Sequence, residues 1–313
     1  MKLTVASSPH IRGNFKTSRL MLDVVIGLVP ALAVGIWKFG LRALLVAALC
    51  MVCTVGTEWV YSRVTGGRNT VVDCSALVTG LLLAMTLPVS VPLWLCAAGS
   101  VFAVLVVKLL CGGLGQNIFN PALTARALML LVWPVGVTCY HAADAVSTAT
   151  PLHTMVMPAL PQQSLVDMFL GNCPGSIGEI STLALLAGGV WLVCRKVISP
   201  RIPLAYLGTV ALVTLVFSRG QAPVLWMLYS LCSGGVVLGA IFMATDYATS
   251  PVTARGQLWY GVGCGVLTVL FRYHGLYPEG VTYAILTMNA LVWVLDRYHP
   301  PRRFGTGKAG GAK

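Results

Sequence analysis

Charge is what this sequence has least of. Its 313 residues include 21 Lys and Arg and 9 Asp and Glu, 10% charged in all, where a soluble globular domain carries about 25%. With 57% hydrophobic residues and a mean hydropathy of +0.83, the chain is excluded from the water-soluble class and reads as an all-α polytopic membrane protein. The scarcity of acid leaves a net charge of +12, yet the basic residues are dispersed and form no patch, so nucleic acid is not an expected partner. Nothing near the polar, basic N-terminus (Lys2, His10, Arg12, Lys16, Arg19) resembles a cleavable signal with a small-residue cleavage site. Cysteine spacing for an iron–sulfur cluster is missing, as is an NAD-binding motif. Cys50 and Cys53 form a Cys-x-x-Cys that falls within an apolar run and has no second pair, so neither a metal nor a catalytic set is assigned. Cys139 and Cys173 flank the longest polar stretch and could pair on an oxidising face.

Apolar runs of about 17 to 20 residues are long enough to cross a bilayer as helices. About ten are present, at 21–37, 43–61, 71–87, 93–110, 121–138, 180–194, 203–218, 223–243, 257–271 and 279–296. Basic residues test the count, because cytoplasmic loops collect them. They gather before the first run, at 63–68, at Lys108, at 195–201, at Arg255 and beyond 297; the alternate loops hold only Lys38, Arg42, Arg219 and Arg272, and Arg126 stays inside the fifth run. Both termini are therefore expected in the cytoplasm. The implied organisation is an N-terminal segment 1–20, a five-helix half 21–138, an outer-face loop 139–179, a second five-helix half 180–296 and a basic tail 297–313. Leu82-Leu-Ala-Met-Thr-Leu-Pro88 and Ile241-Phe-Met-Ala-Thr-Asp246 end apolar runs in the two halves alike, a pattern compatible with two inverted repeats around a central site.

Ionisable residues at membrane depth are functional candidates. Asp246, Glu58 and Asp73, all near inner ends of spans, are the candidates for an ion path, against the alternative of inter-helix hydrogen bonds or interfacial charges. Between the fourth and fifth runs, Cys111-Gly-Gly-Leu-Gly-Gln-Asn-Ile-Phe-Asn-Pro-Ala122 combines three glycines with Asn117 and Asn120. No Gly-Lys-Ser/Thr follows, which excludes a phosphate loop. A re-entrant turn or a polar ligand site fits better, since irregular backbone at that depth must be shielded by protein or a cavity.

In the outer loop, Asp144, Ser147, Ala149 and Thr150 fall in the order Asp-x-x-Ser-x-Ala-Thr. The order resembles the acceptor motif for covalent FMN attachment, although Thr148 stands where that motif usually has glycine; a plain Ser/Thr-rich turn is the alternative. His141 and His153 flank the string, as site residues or as solvated loop residues.

Ser8-Pro-His-Ile-Arg12, Asp73-Cys-Ser-Ala-Leu-Val-Thr-Gly80, Gly112 to Ala122, Phe242 to Asp246, Ser250-Pro-Val-Thr253 and Tyr277-Pro-Glu-Gly-Val-Thr-Tyr-Ala-Ile-Leu286 resemble, in order along nearly the whole chain, the D subunit of the Rnf electron-transport complex. More distantly they resemble the B subunit of the sodium-translocating NADH:quinone reductase. The resemblance implies a multi-pass protein of the bacterial inner membrane, with FMN esterified to Thr150 by a flavin transferase that reads Asp144, Ser147, Ala149 and Thr150. It also implies a second, non-covalent flavin (riboflavin) within the helices, for which the Gly112–Asn120 turn, with Asn117 and Asn120, offers a wall. Partner subunits would pass electrons between ferredoxin- and NAD-linked centres, coupled to Na+ or H+ movement, and the lone subunit would have no activity. A solute channel or transporter of urea-transporter-like architecture is the rival reading, and a structural membrane anchor a third.

Overall fold

The computed structural model describes residues 17–66, 70–138, 152, 155, 161, 163–219, 222–275 and 280–298. Among these the regular structure is helical throughout. The first half holds α1 (Thr17–Phe39), α2 (Leu41–Val64), a 3-10 turn (Val71–Asp73), α3 (Ser75–Thr86), α4 (Leu93–Phe102) running on as a π-helix (Ala103–Leu109), α5 (Pro121–Val132) and α6 (Pro134–Thr138). After α7 (Leu165–Leu170) come α8 (Thr182–Cys194), α9 (Arg201–Val216), α10 (Pro223–Cys232), α11 (Val236–Leu238) with its own π-helix (Gly239–Met243), α12 (Ala254–His274) and α13 (Gly280–Tyr298). Each of the ten apolar runs coincides with one or two of these helices.

Among the described residues two helices, α1 and α2, are long and apolar enough to cross a membrane alone, and α10 with α11 makes a third candidate bent by 62°. The run at 223–243, expected as one span, is broken at Ser233–Gly235. The cause is local: Gly234 (φ 61°) and Gly235 (φ 66°) adopt left-handed backbone, which glycine enters without the Cβ penalty. The run at 121–138 is likewise interrupted at Trp133, because Pro134 has no N–H to continue the helix. Helix starts follow capping chemistry. Asn120 accepts from the amides of Ala122 and Leu123 at the head of α5, with Pro121 in the first turn, and Thr253 accepts from Gly256 at the head of α12.

Packing relies on close approach of small residues, as expected where lipid offers no hydrophobic drive. A Cβ on Gly261 would stand 2.9 Å from the carbonyl oxygen of Ile202, and one on Gly265 3.0 Å from that of Tyr206, so α12 lies against α9 backbone to backbone. The same neighbours recur in both halves. In the first, α2 packs on α3 and α4, and α4 on α5; in the second, α9 packs on α10 and α12, and α12 on α13. The leading helices α1 and α8 pack together across the halves, as do the closing helices α5 and α13.

Helix ends meet at two opposite faces of the bundle. At one, Lys38 donates to Asn172 (2.8 Å), Arg42 to the carbonyl of Val89 (2.9 Å) and Arg219 to that of Tyr273 (2.8 Å). At the other, Arg195 pairs with Asp23 (3.4 Å) and the Val252 amide donates to Asp296 (3.2 Å). These are called the loop end and the cleft end below. Exposed tryptophans mark both: Trp37 and the edge-to-face pair Trp94–Trp133 at the loop end, and Trp59 under Arg63 and Trp191 under Arg195 at the cleft end.

Candidate functional site

At the cleft end, the wider π-helical winding of Ala103–Leu109 brings Lys108 inside, where its side chain is 2% exposed and that of Glu58 1%. The Lys108 ammonium donates to Glu58 Oε1 at 2.8 Å and to Ser75 Oγ at 2.7 Å, and Thr70 Oγ1 donates to the same carboxylate oxygen at 2.7 Å. A buried ion pair holds only when such hydrogen bonds offset its desolvation. Glu58 Oε2 is left without a hydrogen bond.

Lys108 and Ser75 form one side of a shallow open cleft of about 70 Å3 whose other sides include Asn117, Asn120, Thr245 and Asp246. Three of the residues singled out in the sequence, Asn117, Asn120 and Asp246, thus come together with the partner of a fourth, Glu58. Their roles differ. Asn120 spends its side-chain oxygen on the head of α5 and its Nδ2 on the carbonyl of Met243 at 3.3 Å, joining the two halves. Asn117 is buried and its Oδ1 meets no donor among the described residues. Asp246 is half-buried and accepts from Thr249 Oγ1 at 3.3 Å. Asp73 sits in the 3-10 turn before α3 and does not line the cleft.

Chemically, the cleft wall carries an ammonium, a carboxylate and two side-chain amides, around a space smaller than that of most small-molecule sites. Sequence reasoning missed Lys108, taking it as a loop charge. The available signal was a single cation closing an apolar run, which must find a carboxylate such as Glu58.

The FMN-type string falls elsewhere. Thr150, Asp144, Ser147 and Ala149 lie outside the described residues, as do Thr148, His141, His153 and Cys139. Leu152 and Met155 are described, and both are buried at the loop end. Leu152 rests on the break in the second half, where a Cβ on Gly234 would stand 3.2 Å from Leu152 Cγ, and the Ser233 hydroxyl points to Met155 Sδ at 3.8 Å. Arg272 braces the break by donating to the carbonyls of Ser230 and Ser233 at 2.7 Å each and of Gly234 at 3.1 Å. Glu179 lies against Gly235, its Cδ 2.9 Å from where a Cβ would stand. A cation at the carbonyl end of α10 and a carboxylate at the amide end of α11 both match the helix dipoles. Cys173 is buried, its thiol 3.7 Å from the carbonyl oxygen of Ile180.

Comparison with known proteins bears on both ends. The chain is 47% identical to the D subunit of the Na+-translocating ferredoxin:NAD+ oxidoreductase complex of Acetobacterium woodii, over 98% of this chain and 97% of that protein. It is 41% identical to the D subunit of the proton-translocating ferredoxin:NAD+ oxidoreductase complex of Clostridium ljungdahlii, covering 97% and 96%. Against the D subunit of the ion-translocating oxidoreductase complex of Stutzerimonas stutzeri the identity is 36%, covering 93% of each. A sequence model of the NQR2, RnfD, RnfE family matches residues 4–305. The chain therefore belongs to the NQR2, RnfD, RnfE family.

Proposed function

We propose that this chain is the membrane subunit of an ion-translocating electron-transport complex and relays electrons through FMN held on Thr150, between ferredoxin- and NAD-linked partner subunits. The observation that carries the reading is the string Asp144-x-x-Ser147-x-Ala149-Thr150 in a chain of this family. Thr150 supplies the hydroxyl that holds the FMN phosphate as an ester, and Asp144, Ser147 and Ala149 form the segment read by a flavin transferase. Relatives named for Na+ and for proton translocation support Na+ or H+ as the coupled ion.

Ten spans with both termini in the cytoplasm of a bacterial inner membrane, arranged as two inverted five-helix repeats, complete the reading. The recurrence of helix neighbours in the two halves supports it, as do the exposed tryptophans at both ends of the bundle. The cleft end then faces the cytoplasm and the loop end the outer side.

A second, non-covalent flavin such as riboflavin belongs to the same reading through the family alone; the cleft of about 70 Å3 as it stands is too small for its ring and would have to widen to hold one. A bound flavin supplies exchange between one- and two-electron steps. The protein's part is to hold the turn with Asn120. Asp246, on the cleft wall, is the first candidate for the ion path, followed by Glu58 and Asp73.

The test is peptide mass spectrometry of the protein expressed with a flavin transferase, beside a Thr150→Val control. FMN mass on the Thr150 peptide, lost in the control, is the expected result. An unmodified loop would mean that Thr148 disables the motif and would return the channel or transporter reading.

A further inference from the structure

We infer that the side-chain oxygens of Glu58 and Ser75 form a monovalent-cation site in which the Lys108 ammonium is the resident ion, displaced when Na+ binds. The inference deepens the ion-path reading of Glu58 and rests on it. Three observations carry it. The ammonium is held by oxygens of two other helices, Glu58 Oε1 on α2 at 2.8 Å and Ser75 Oγ on α3 at 2.7 Å, and oxygen atoms are also the ligands that hard cations take. Glu58 Oε2, on a side chain 1% exposed, meets no donor among the described residues, so the carboxylate keeps a ligand atom that the ammonium does not use. And Ser75 and Lys108 both belong to the wall of the open cleft of about 70 Å3. At roughly 10–15 Å3 for each water molecule, that space admits an ion with part of its water shell.

Charge balance favours exchange over simple release. Removing one partner of a buried ion pair leaves an uncompensated charge, which is strongly destabilising; putting Na+ in place of the ammonium keeps the carboxylate neutralised throughout. Thr70, donating to Glu58 Oε1 at 2.7 Å, steadies that oxygen in either state. The displaced ammonium turns toward the cleft, where water solvates it. Na+ then sits between Glu58 Oε1, Glu58 Oε2 and Ser75 Oγ, and its departure lets Lys108 return, so the lysine closes the site behind the ion. A lysine with a purely structural role would stay paired whatever cation the solution held.

The experiment is reductive methylation of the full-length protein in lipid nanodiscs by formaldehyde and a borane, in NaCl or in choline chloride of equal ionic strength. Peptide mass spectrometry reads the rates at Lys108 and at the exposed Lys196, which corrects for any effect of salt on the reagent. Na+ is expected to raise the Lys108 rate relative to Lys196 by about tenfold or more, because it populates the state in which the amine is released. In Glu58→Gln, which keeps the side-chain shape without the charge, Lys108 should react equally in both salts. Equal relative rates in the two salts for the parent overturn the inference even if Glu58→Gln fails to fold, and so does a Na+ response that survives in Glu58→Gln. The labelling needs neither electrons nor ion flow, so its failure overturns the exchange alone. The ion-path reading is overturned separately, by unchanged ion movement per electron in complexes carrying Asp246→Asn or Glu58→Gln.

Discussion

Replacing Arg272 by Met tests how the broken span is held. The guanidinium makes two hydrogen bonds of 2.7 Å and one of 3.1 Å to carbonyls that the break deprives of helical partners. It is 5% exposed, so water does not take its place. A buried polar group left unsatisfied costs about 1–3 kcal/mol. Two well-made bonds and one weaker bond therefore set the loss at about 3–6 kcal/mol. The substitution also leaves the Glu179 carboxylate facing the break without this cation, which pushes the loss toward the upper end. Arg272→Lys keeps the charge but can serve one carbonyl well, and should recover less than half.

The assay is denaturant unfolding in lipid nanodiscs followed by the fluorescence of Trp226, which is buried on α10 and bonded through Nε1 to the Tyr273 hydroxyl at 2.9 Å. Hydrogen exchange of 233–243 provides the local reading. Loss of more than about 3 kcal/mol, with exchange rising first in that segment, is expected. A loss below about 1 kcal/mol with unchanged exchange would refute the assignment of Arg272 as the brace.

Removing either partner of Lys108–Glu58 alone should destabilise the fold by about 3–5 kcal/mol, whereas the double change Lys108→Met with Glu58→Gln should cost clearly less than the sum of the two single changes; chemical unfolding of the parent and the three variants measures the coupling. Gly261→Leu should prevent close packing of α12 on α9, because the Ile202 carbonyl already stands 2.9 Å from the Cβ position, and loss of folded yield in membranes is the expected result. At the loop end, hydrogen bonds from the Ser164 hydroxyl and the Asn172 amide, with Lys38 nearby, hold the Asp167 carboxyl below the usual carboxylate range. A depressed folded pKa gives stability that is present above the unfolded value of about 3.9 and lost as pH falls through the folded one. Protection of 164–172 against hydrogen exchange, corrected for intrinsic rate, should be flat from about pH 5 to 8 and fall below about pH 4, with Asp167→Asn removing the pH dependence.

The helices are legible in the sequence because apolar run length carries most of the information in a membrane chain. Their interruptions are less so. Ser233-Gly-Gly and Trp133-Pro are visible as letters, but whether a span bends at the first depends on Arg272, 38 residues or more away, donating to the freed carbonyls. The Asn117–Asn120 turn reads as irregular from its glycines, yet the division of labour within it does not. Only packing reveals that Asn120 is consumed by the head of α5 and Met243, while Asn117 Oδ1 is buried without a donor among the described residues. Lys108 is hidden for a different reason. Periodicity arguments assume 3.6 residues per turn, and the π-helical winding of 103–109 turns that side chain to a face the assumption does not give.

The loop end and the cleft lie at opposite ends of α12, whose 21 residues span about 30 Å. Over that distance direct contact between them is excluded, and most paired substitutions should be additive. One segment nonetheless touches both surroundings. It begins at Gly235, against Glu179 and the seat of Leu152 on the neighbouring Gly234, and ends at Met243, whose carbonyl accepts from Asn120 beside the cleft. Its second half is wound as a π-helix, a geometry that converts to α-helix by a one-residue change of register and so offers two discrete arrangements instead of a continuous deformation. An element with two arrangements, biased from each end by different groups, is the physical requirement for coupling between distant sites. Gly235–Met243 is thus the segment in contact with both ends, and Arg272 braces the break from which it starts.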